Sequence, residues 1–100
     1  MTKTVVAATA ITEETVASRN PNLISTAVRD ETVMMDLDSG KYYGLDDIGS
    51  VIWQRLEKPQ TFGTLIDFLT AEYAVERSVI AEDVARLLAL MAEHEVVRLA

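Results

Sequence analysis

A change of hydrophobic period near residue 45 limits most strongly what this chain can fold into. From Thr15 to Leu45, β-branched and other apolar residues alternate with polar ones, which is typical of strands with one buried face. From Asp46 to His94, apolar residues recur at three- and four-residue steps, which is typical of amphipathic helices. The two patterns do not alternate along the chain, so we expect an α+β fold without a parallel sheet.

Turn signals divide the strand region into a predicted antiparallel meander of about three short strands. The breaks are Asn20–Asn22, Arg29–Glu31 and Asp38–Gly40. Over residues 32–37, period-two geometry places alternate side chains on two faces, one of them in the core. The two sets are Val33, Met35 and Leu37, and Thr32, Met34 and Asp36. Gly40 can adopt the positive φ that the hairpin before the strand Lys41–Leu45 needs.

Three helices are predicted after the strands. The first is capped by Asp46 and runs to about Glu57, because Pro59 cannot continue a helix. Within it, Gly49 costs about 1 kcal/mol relative to alanine, which indicates a close approach of another part of the chain. The second helix starts at Thr61 and ends near Tyr73, and the third runs from about Ser78 to His94.

The two ends of the chain are less defined. Residues 1–12 carry neither helix caps nor a clean period, so we expect a flexible N-terminal tail followed by one domain over residues 13–100. The segment Val96–Leu99 could form a closing strand or pack as an apolar tail, and the sequence leaves both open. A three-stranded antiparallel sheet and three helices are also the secondary-structure elements of a winged helix-turn-helix module.

Charge and cysteine content exclude several classes of function. The chain carries 16 acidic and nine basic residues, for a net charge of −7, and the basic residues are scattered, which argues against a nucleic-acid surface. It contains no cysteine, which excludes disulfides, thiolate metal sites and cysteine nucleophiles and favours a reducing cytoplasm. No apolar run is long enough to span a membrane.

A search for catalytic chemistry finds no convincing centre. The single histidine, His94, lies at a predicted helix end, where a cation is favoured for electrostatic reasons alone. The acidic pairs Asp46-Asp47 and Glu82-Asp83 are better explained as a helix cap and a solvated helix face than as a metal site. The glycines match no nucleotide-binding motif. We therefore expect no enzymatic activity, no metal and no cofactor.

The predicted sheet is too small to close on itself, so at least one edge keeps unpaired backbone groups. If the strand Lys41–Leu45 is that edge, an extended peptide could add to it through main-chain hydrogen bonds, with the amide of Tyr43 among the expected donors. Neighbouring side chains would then select residues at alternate positions of the peptide.

The same segment carries a resemblance to a known family. The matching residues are Leu37–Leu45, Gly49, Ile52, Trp53, Leu65–Leu69 and Tyr73, and the apolar spacing from Val84 to Val96 continues the match. In this order the chain resembles PqqD-like recognition elements, which bind precursors of ribosomally synthesised and post-translationally modified peptides (RiPPs). The likeness spans about residues 16–99. Asp46 stands where the family often has asparagine, and it can still cap a helix.

The resemblance implies a winged-helix-like fold and a non-catalytic adaptor. The leader segment of a precursor peptide would lie as an added antiparallel strand in a groove between the third strand and the third helix. The adaptor would present this leader to a modifying enzyme. In quinone-cofactor biosynthesis that enzyme is a radical SAM enzyme, and in lasso-peptide pathways it is a leader peptidase with a cyclase. The tyrosine-bearing strand favours a lasso pathway.

Carried over to this chain, the resemblance implies a set of peptide-binding residues. They are Lys41, Tyr42, Tyr43, Gly44 and Leu45 on the edge strand, and Asp83, Val84, Leu87 and Leu90 on the third helix. On the helical wheel, Leu90 lies outside the core stripe, so we favour its flank for the groove; the alternative is an isolated exposed leucine. Carboxylates such as Asp83 would favour leaders that carry lysine or arginine.

Two other functions remain open on the sequence. The helix inventory would also fit a winged-helix DNA-binding protein, although the third helix carries one basic residue, Arg86, in its middle and the acidic residues Glu82, Asp83 and Glu93. The chain could also be an interaction subunit that dimerises through apolar surface and has no peptide ligand.

Overall fold

The computed structural model describes residues 7–100. The strands are β1 (Val16–Arg19), β2 (Leu23–Val28), β3 (Glu31–Asp36), β4 (Tyr42–Leu45), β5 (Gln60–Thr61) and β6 (Val97–Leu99). The helices are α1 (Asp47–Arg55), α2 (Phe62–Tyr73) and α3 (Arg77–Glu93), and a short 3₁₀ turn covers Ala8–Ala10. The predicted α+β class, with a three-stranded antiparallel sheet and three helices, is confirmed.

The strands form two antiparallel sheets: the main sheet, in the order β2-β3-β4, and a second sheet, in the order β5-β1-β6. The expectation that all strands before Leu45 form one meander is therefore wrong for β1. Asn20 and Pro21 turn the chain after β1, and Asn20 ties this turn to the C-terminal segment: its backbone N–H donates to Val96 O and its side-chain amide donates to Glu95 O at 2.8 Å. The segment left open by the sequence forms β6, which pairs with β1.

Both hairpins of the main sheet have the turn chemistry that short loops require. Arg29 adopts φ 60° in the β2–β3 turn, and Gly40 adopts φ 73° in the β3–β4 turn, as predicted for Gly40. The Asp36 side chain accepts the backbone N–H of Asp38 at 2.8 Å and closes the second turn. These turns fix the register of the sheet, so Met34 lies opposite both Ser25 and Tyr43.

The inward face of β3 is the one that carries Thr32 and Met34, both buried, while Val33 and Met35 are half-buried on the outward face. The core lies between this face and the helices. Its fully buried side chains are Met34, Ile52, Leu56, Leu65, Ile66, Leu69, Val84 and Leu88. Trp53 joins sheet and helix, since its indole N–H donates to Ser25 Oγ at 3.0 Å and the Arg19 guanidinium lies 4.3 Å from its ring centre.

The N-terminal part of the described chain contacts the domain. Ala8 and Ile11, which fall in the expected tail, are half-buried against the core. Residues 1–6 of that expected tail lie outside the described residues. Over residues 7–100, no helix has the length and apolar character needed to cross a membrane.

Candidate functional site

The outer edge of β4 is one border of the candidate site. Within residues 7–100, β4 pairs with β3 alone, and β6 pairs with β1 rather than with β4. The C-terminal segment therefore leaves this edge open. An unpaired edge offers a row of backbone N–H and C=O groups to an added strand.

The register shows which backbone groups of β4 point outward. Asp36 N–H donates to Lys41 O at 2.9 Å, so these opposed residues form a hydrogen-bonded pair. In an antiparallel ladder such pairs alternate, which assigns Tyr43, opposite Met34, to bonding with β3. The backbone groups of Tyr42 and Gly44 are then the ones that face the open edge. The expectation that the Tyr43 amide lies on the edge is wrong, because that amide belongs to the internal ladder.

A cavity of about 280 Å³ lies beside this edge, between β4, the start of α1 and the C-terminal half of α3. Its lining residues are Tyr43, Gly44, Leu45, Asp46, Gly49, Leu87, Leu90, Met91, His94 and Val96. Most of these side chains are apolar. The cavity and the edge together form a groove that can take an extended chain, with alternate side chains pointing inward.

Five of the predicted site residues line the cavity: Tyr43, Gly44, Leu45, Leu87 and Leu90. The structure thus places the Leu90 flank of α3 toward β4. Leu90 is 51% exposed, so its apolar side chain is available to a ligand.

The other four predicted residues lie elsewhere. Val84 is 1% exposed within the core, behind the groove wall. Asp83 points to solvent and its carboxylate contacts the guanidinium of Arg86 at 2.6 Å, so its charge is paired. Lys41 and Tyr42 are exposed and do not line the cavity. Tyr42 lies on the outward face, but its backbone belongs to the open edge.

Sequence reasoning missed five lining residues, namely Asp46, Gly49, Met91, His94 and Val96. Helical spacing could have predicted two of them. Met91 and His94 lie four and seven residues after Leu87 and so share its side of α3. Val96 could not be placed, since its position depends on the chain reversal after α3. There Glu95 takes φ 61°, and Val96 N–H donates to Met91 O at 2.8 Å.

The start of α1 is held close to β4 by three local contacts. Asp46 accepts the N–H of Gly49 at 3.1 Å, which confirms the predicted cap. Ser50 Oγ donates to Leu45 O at 3.1 Å. A Cβ at Gly49 would lie 3.3 Å from Leu45 Cβ and from Asp46 Oδ1, so the predicted close approach at this glycine is confirmed.

Few polar side chains line the cavity, and the charged or titratable ones besides Tyr43 are Asp46 and His94. The Asp46 carboxylate is engaged in the helix cap. The His94 ring lies at the mouth with its centre 6.3 Å from that of Tyr43, at an interplanar angle of 57°. In the described part of the chain, no three histidine or carboxylate side chains come together as a metal site. The arrangement is suited to holding apolar side chains of a bound chain.

Comparison with known proteins agrees with this geometry. The family model for Coenzyme PQQ synthesis protein D (PqqD) matches residues 31–97. The chain belongs to the PqqD family. The matched span contains β3, β4 and all three helices, and therefore every residue that lines the cavity.

A solved structure, described as TbiB1 in complex with the TbiA(beta) leader peptide, is similar to this member of the PqqD family. The TM-score is 0.75 and the sequence identity is 32%, over 81% of this chain and 94% of that one. The resemblance to PqqD-like RiPP recognition elements is thereby confirmed. No curated protein matches the chain.

Proposed function

We propose that this PqqD-family protein is a non-catalytic adaptor that binds the leader segment of a ribosomally made precursor peptide. The observation that carries the proposal is the open edge of β4 beside an apolar cavity. The similarity to TbiB1, whose structure contains a leader peptide, supports it. The leader adds to β4 as an antiparallel strand, and its backbone pairs with Tyr42 and Gly44.

The register also supports a prediction of which leader side chains are selected. In an antiparallel pair, directly opposed residues project to the same face of the sheet. Leader residues opposite Tyr43 and Leu45 therefore point toward the cavity, two positions apart, while the residue between them points outward. We expect these two leader residues to be apolar, because Leu87, Leu90 and Met91 form the facing wall.

Electrostatic attraction should contribute less to leader binding than the sequence predicts. The Asp83 carboxylate is exposed and paired with Arg86, so it does not offer a free charge to the leader. A preference for basic leaders would arise from the net charge of −7, which acts at long range on the rate of encounter. Affinity would come from the backbone pairing and the apolar cavity.

The bound leader would be presented to a modifying enzyme. A leader peptidase with a cyclase, as in lasso-peptide pathways, or a radical SAM enzyme is the class of partner that the family resemblance favours. Since precursor peptides are released from ribosomes, we place this step in the cytoplasm. The DNA-binding alternative is weakened because Arg86, the basic residue in the middle of α3, is occupied by both Glu82 and Asp83.

The decisive experiment compares Gly44→Pro with Gly44→Ala. Both substitutions add atoms where no other atom lies within 4 Å of the new Cβ, and proline is tolerated where an edge N–H faces solvent. Only proline removes the outward N–H. Titration of a synthetic leader, taken from the precursor encoded beside this protein, should give affinity at least about tenfold weaker for Gly44→Pro and nearly unchanged for Gly44→Ala.

Circular dichroism of both variants serves as the control for folding. If folded Gly44→Pro binds the leader as tightly as the parent protein, the edge of β4 is not the binding site.

A further inference from the structure

The main sheet has a second open edge, formed by β2, at the side opposite β4. Leu37 N–H donates to Asn22 O at 3.0 Å, so Asn22 and Leu37 form a hydrogen-bonded pair. Alternation along the ladder then directs the backbone groups of Ile24, Thr26 and Val28 toward β3. The N–H and C=O groups of Ser25 and Ala27 face outward. In the part of the chain that the structure describes, no strand pairs with them.

This edge lacks the devices that natural sheets use to avoid pairing. The six residues Leu23–Val28 include no charged residue and no proline, and five of the six are exposed. Protected edges carry lysine, proline, a bulge or an inward-pointing charge. The β2 edge is therefore competent to pair with another strand.

The chemistry of β2 is close to symmetric about Thr26. Ile24 and Val28 flank it at equal distances on the outward face, and each is 51% exposed. Ser25 and Ala27 are the two small residues on the other face. The cavity beside β4 does not reach β2, since none of its lining residues belongs to that strand. An occupant of this edge would thus be recognised through its backbone and a short apolar stripe, which a second copy of β2 supplies.

We propose that two copies of this chain associate through antiparallel pairing of their β2 strands, centred on Thr26. In this register Thr26 lies opposite Thr26 of the partner subunit, and Ile24 lies opposite Val28 of the partner subunit. Ser25 of each copy lies opposite Ala27 of the partner subunit, and these residues form the hydrogen-bonded pairs. Registers centred on Ser25 or Ala27 also match outward backbone groups, but only the one centred on Thr26 pairs the two exposed apolar residues with each other.

The pairing joins the main sheets of the two copies into one six-stranded sheet, and a β4 strand forms the edge at each end. Where the proposed function holds, such a dimer carries two leaders on opposite ends of one sheet. The contact is short and uncharged, while each copy carries a net charge of −7. We therefore expect a weak dimer whose association strengthens with salt, because salt screens the repulsion between the copies.

The first test uses opposite charges at the centre of the register. Sedimentation velocity of the parent protein over about 10–500 μM should show a monomer–dimer equilibrium, in the range expected for a small interface. Thr26→Lys and Thr26→Glu should each be monomeric, and an equimolar mixture of the two should dimerise again. Thr64→Lys and Thr64→Glu, which place the same charges on an exposed position of α2, should behave as the parent.

A parent protein that stays monomeric throughout this range would overturn the proposal. So would dimers that persist in both single Thr26 variants, or a mixture that stays monomeric. None of these results depends on leader binding, and the monomeric variants should bind the leader as the parent does. The two proposals therefore fail separately.

A second test does not depend on charge. The chain has no cysteine, so Thr26→Cys introduces a single thiol. Opposed residues at a non-hydrogen-bonded position have Cα atoms about 4.5 Å apart, which is within disulfide reach. Mild oxidation should convert folded Thr26→Cys to a covalent dimer at least tenfold faster than Thr64→Cys. Equal rates for the two variants would count against the register.

Discussion

At the scale of single residues, the adjacent Tyr42 and Tyr43 present different groups at the two borders of the groove: one a side chain, the other its backbone. Tyr43 directs its side chain into the cavity and its backbone into the ladder with β3. Tyr42 is 72% exposed on the outward face, and its backbone faces the open edge. In the proposed complex, Tyr43 would contact the leader through its side chain and Tyr42 would contact it through its backbone. Side-chain and main-chain recognition can therefore be disrupted separately along this strand.

Leu90 provides a test of side-chain recognition. It is 51% exposed and lines the cavity, whereas Val79 on the same helix is 48% exposed and lies outside it. Because both positions are exposed, glutamine at either should change the free energy of unfolding by less than about 0.5 kcal/mol. Leu90→Gln should weaken leader binding about tenfold, since it removes an apolar contact.

Calorimetric titration of the leader into both variants measures this difference. Val79→Gln should bind as the parent does. Equal affinities for the two variants would show that Leu90 does not contact the bound leader.

At the scale of elements, the groove depends on how α1 leaves β4. The Asp46 cap, the Ser50 bond to Leu45 O and the tight contact at Gly49 lie within six residues of chain. They hold the first turn of α1 against the end of the edge strand. Loss of one of these contacts should therefore destabilise the domain and loosen the cavity wall together.

The Asp46 cap allows this to be measured. Asp46→Ala removes the acceptor for the Gly49 N–H and should cost about 1 kcal/mol. For a domain of this size, that loss lowers Tm by about 4–8 °C. Asp46→Asn keeps a capping oxygen and should stay near the parent. Thermal unfolding followed by circular dichroism compares the three proteins. An Asp46→Asn protein as unstable as Asp46→Ala would show that the charge, rather than the cap, matters.

At the scale of the whole molecule, the sequence predicts the order of the elements better than their pairing. Local signals such as Asp46, Gly40 and Pro59 define caps, turns and ends, and the helices and the β2-β3-β4 sheet follow from them. The partners of β1 could not be predicted, because β6 and β5 lie far along the chain and are three and two residues long. Such short strands carry almost no periodic signal.

For the candidate site, too, local features could be predicted from the sequence and the pairing geometry could not. The edge strand and the Leu90 side of α3 follow from period and spacing. The sequence does not predict which amides of β4 point outward. That depends on the alternation of hydrogen bonds with β3, which only the register defines. The sequence predicts Val84 in the groove, but this residue lies on the buried side of α3. A helical wheel alone does not show where the core stripe ends and the groove begins.

The two open edges of the main sheet should respond to different variables, and hydrogen exchange followed by NMR can separate them. Leader binding should slow exchange of the Gly44 amide by at least about tenfold at any protein concentration, since exchange protection follows the population of the closed ladder. The Ser25 and Ala27 amides should instead become protected as protein concentration rises, with or without leader. The Tyr43 amide, which already bonds to β3, should change least. Leader-dependent protection of Ala27 without protection of Gly44 would place the leader on the β2 edge and would reverse both assignments.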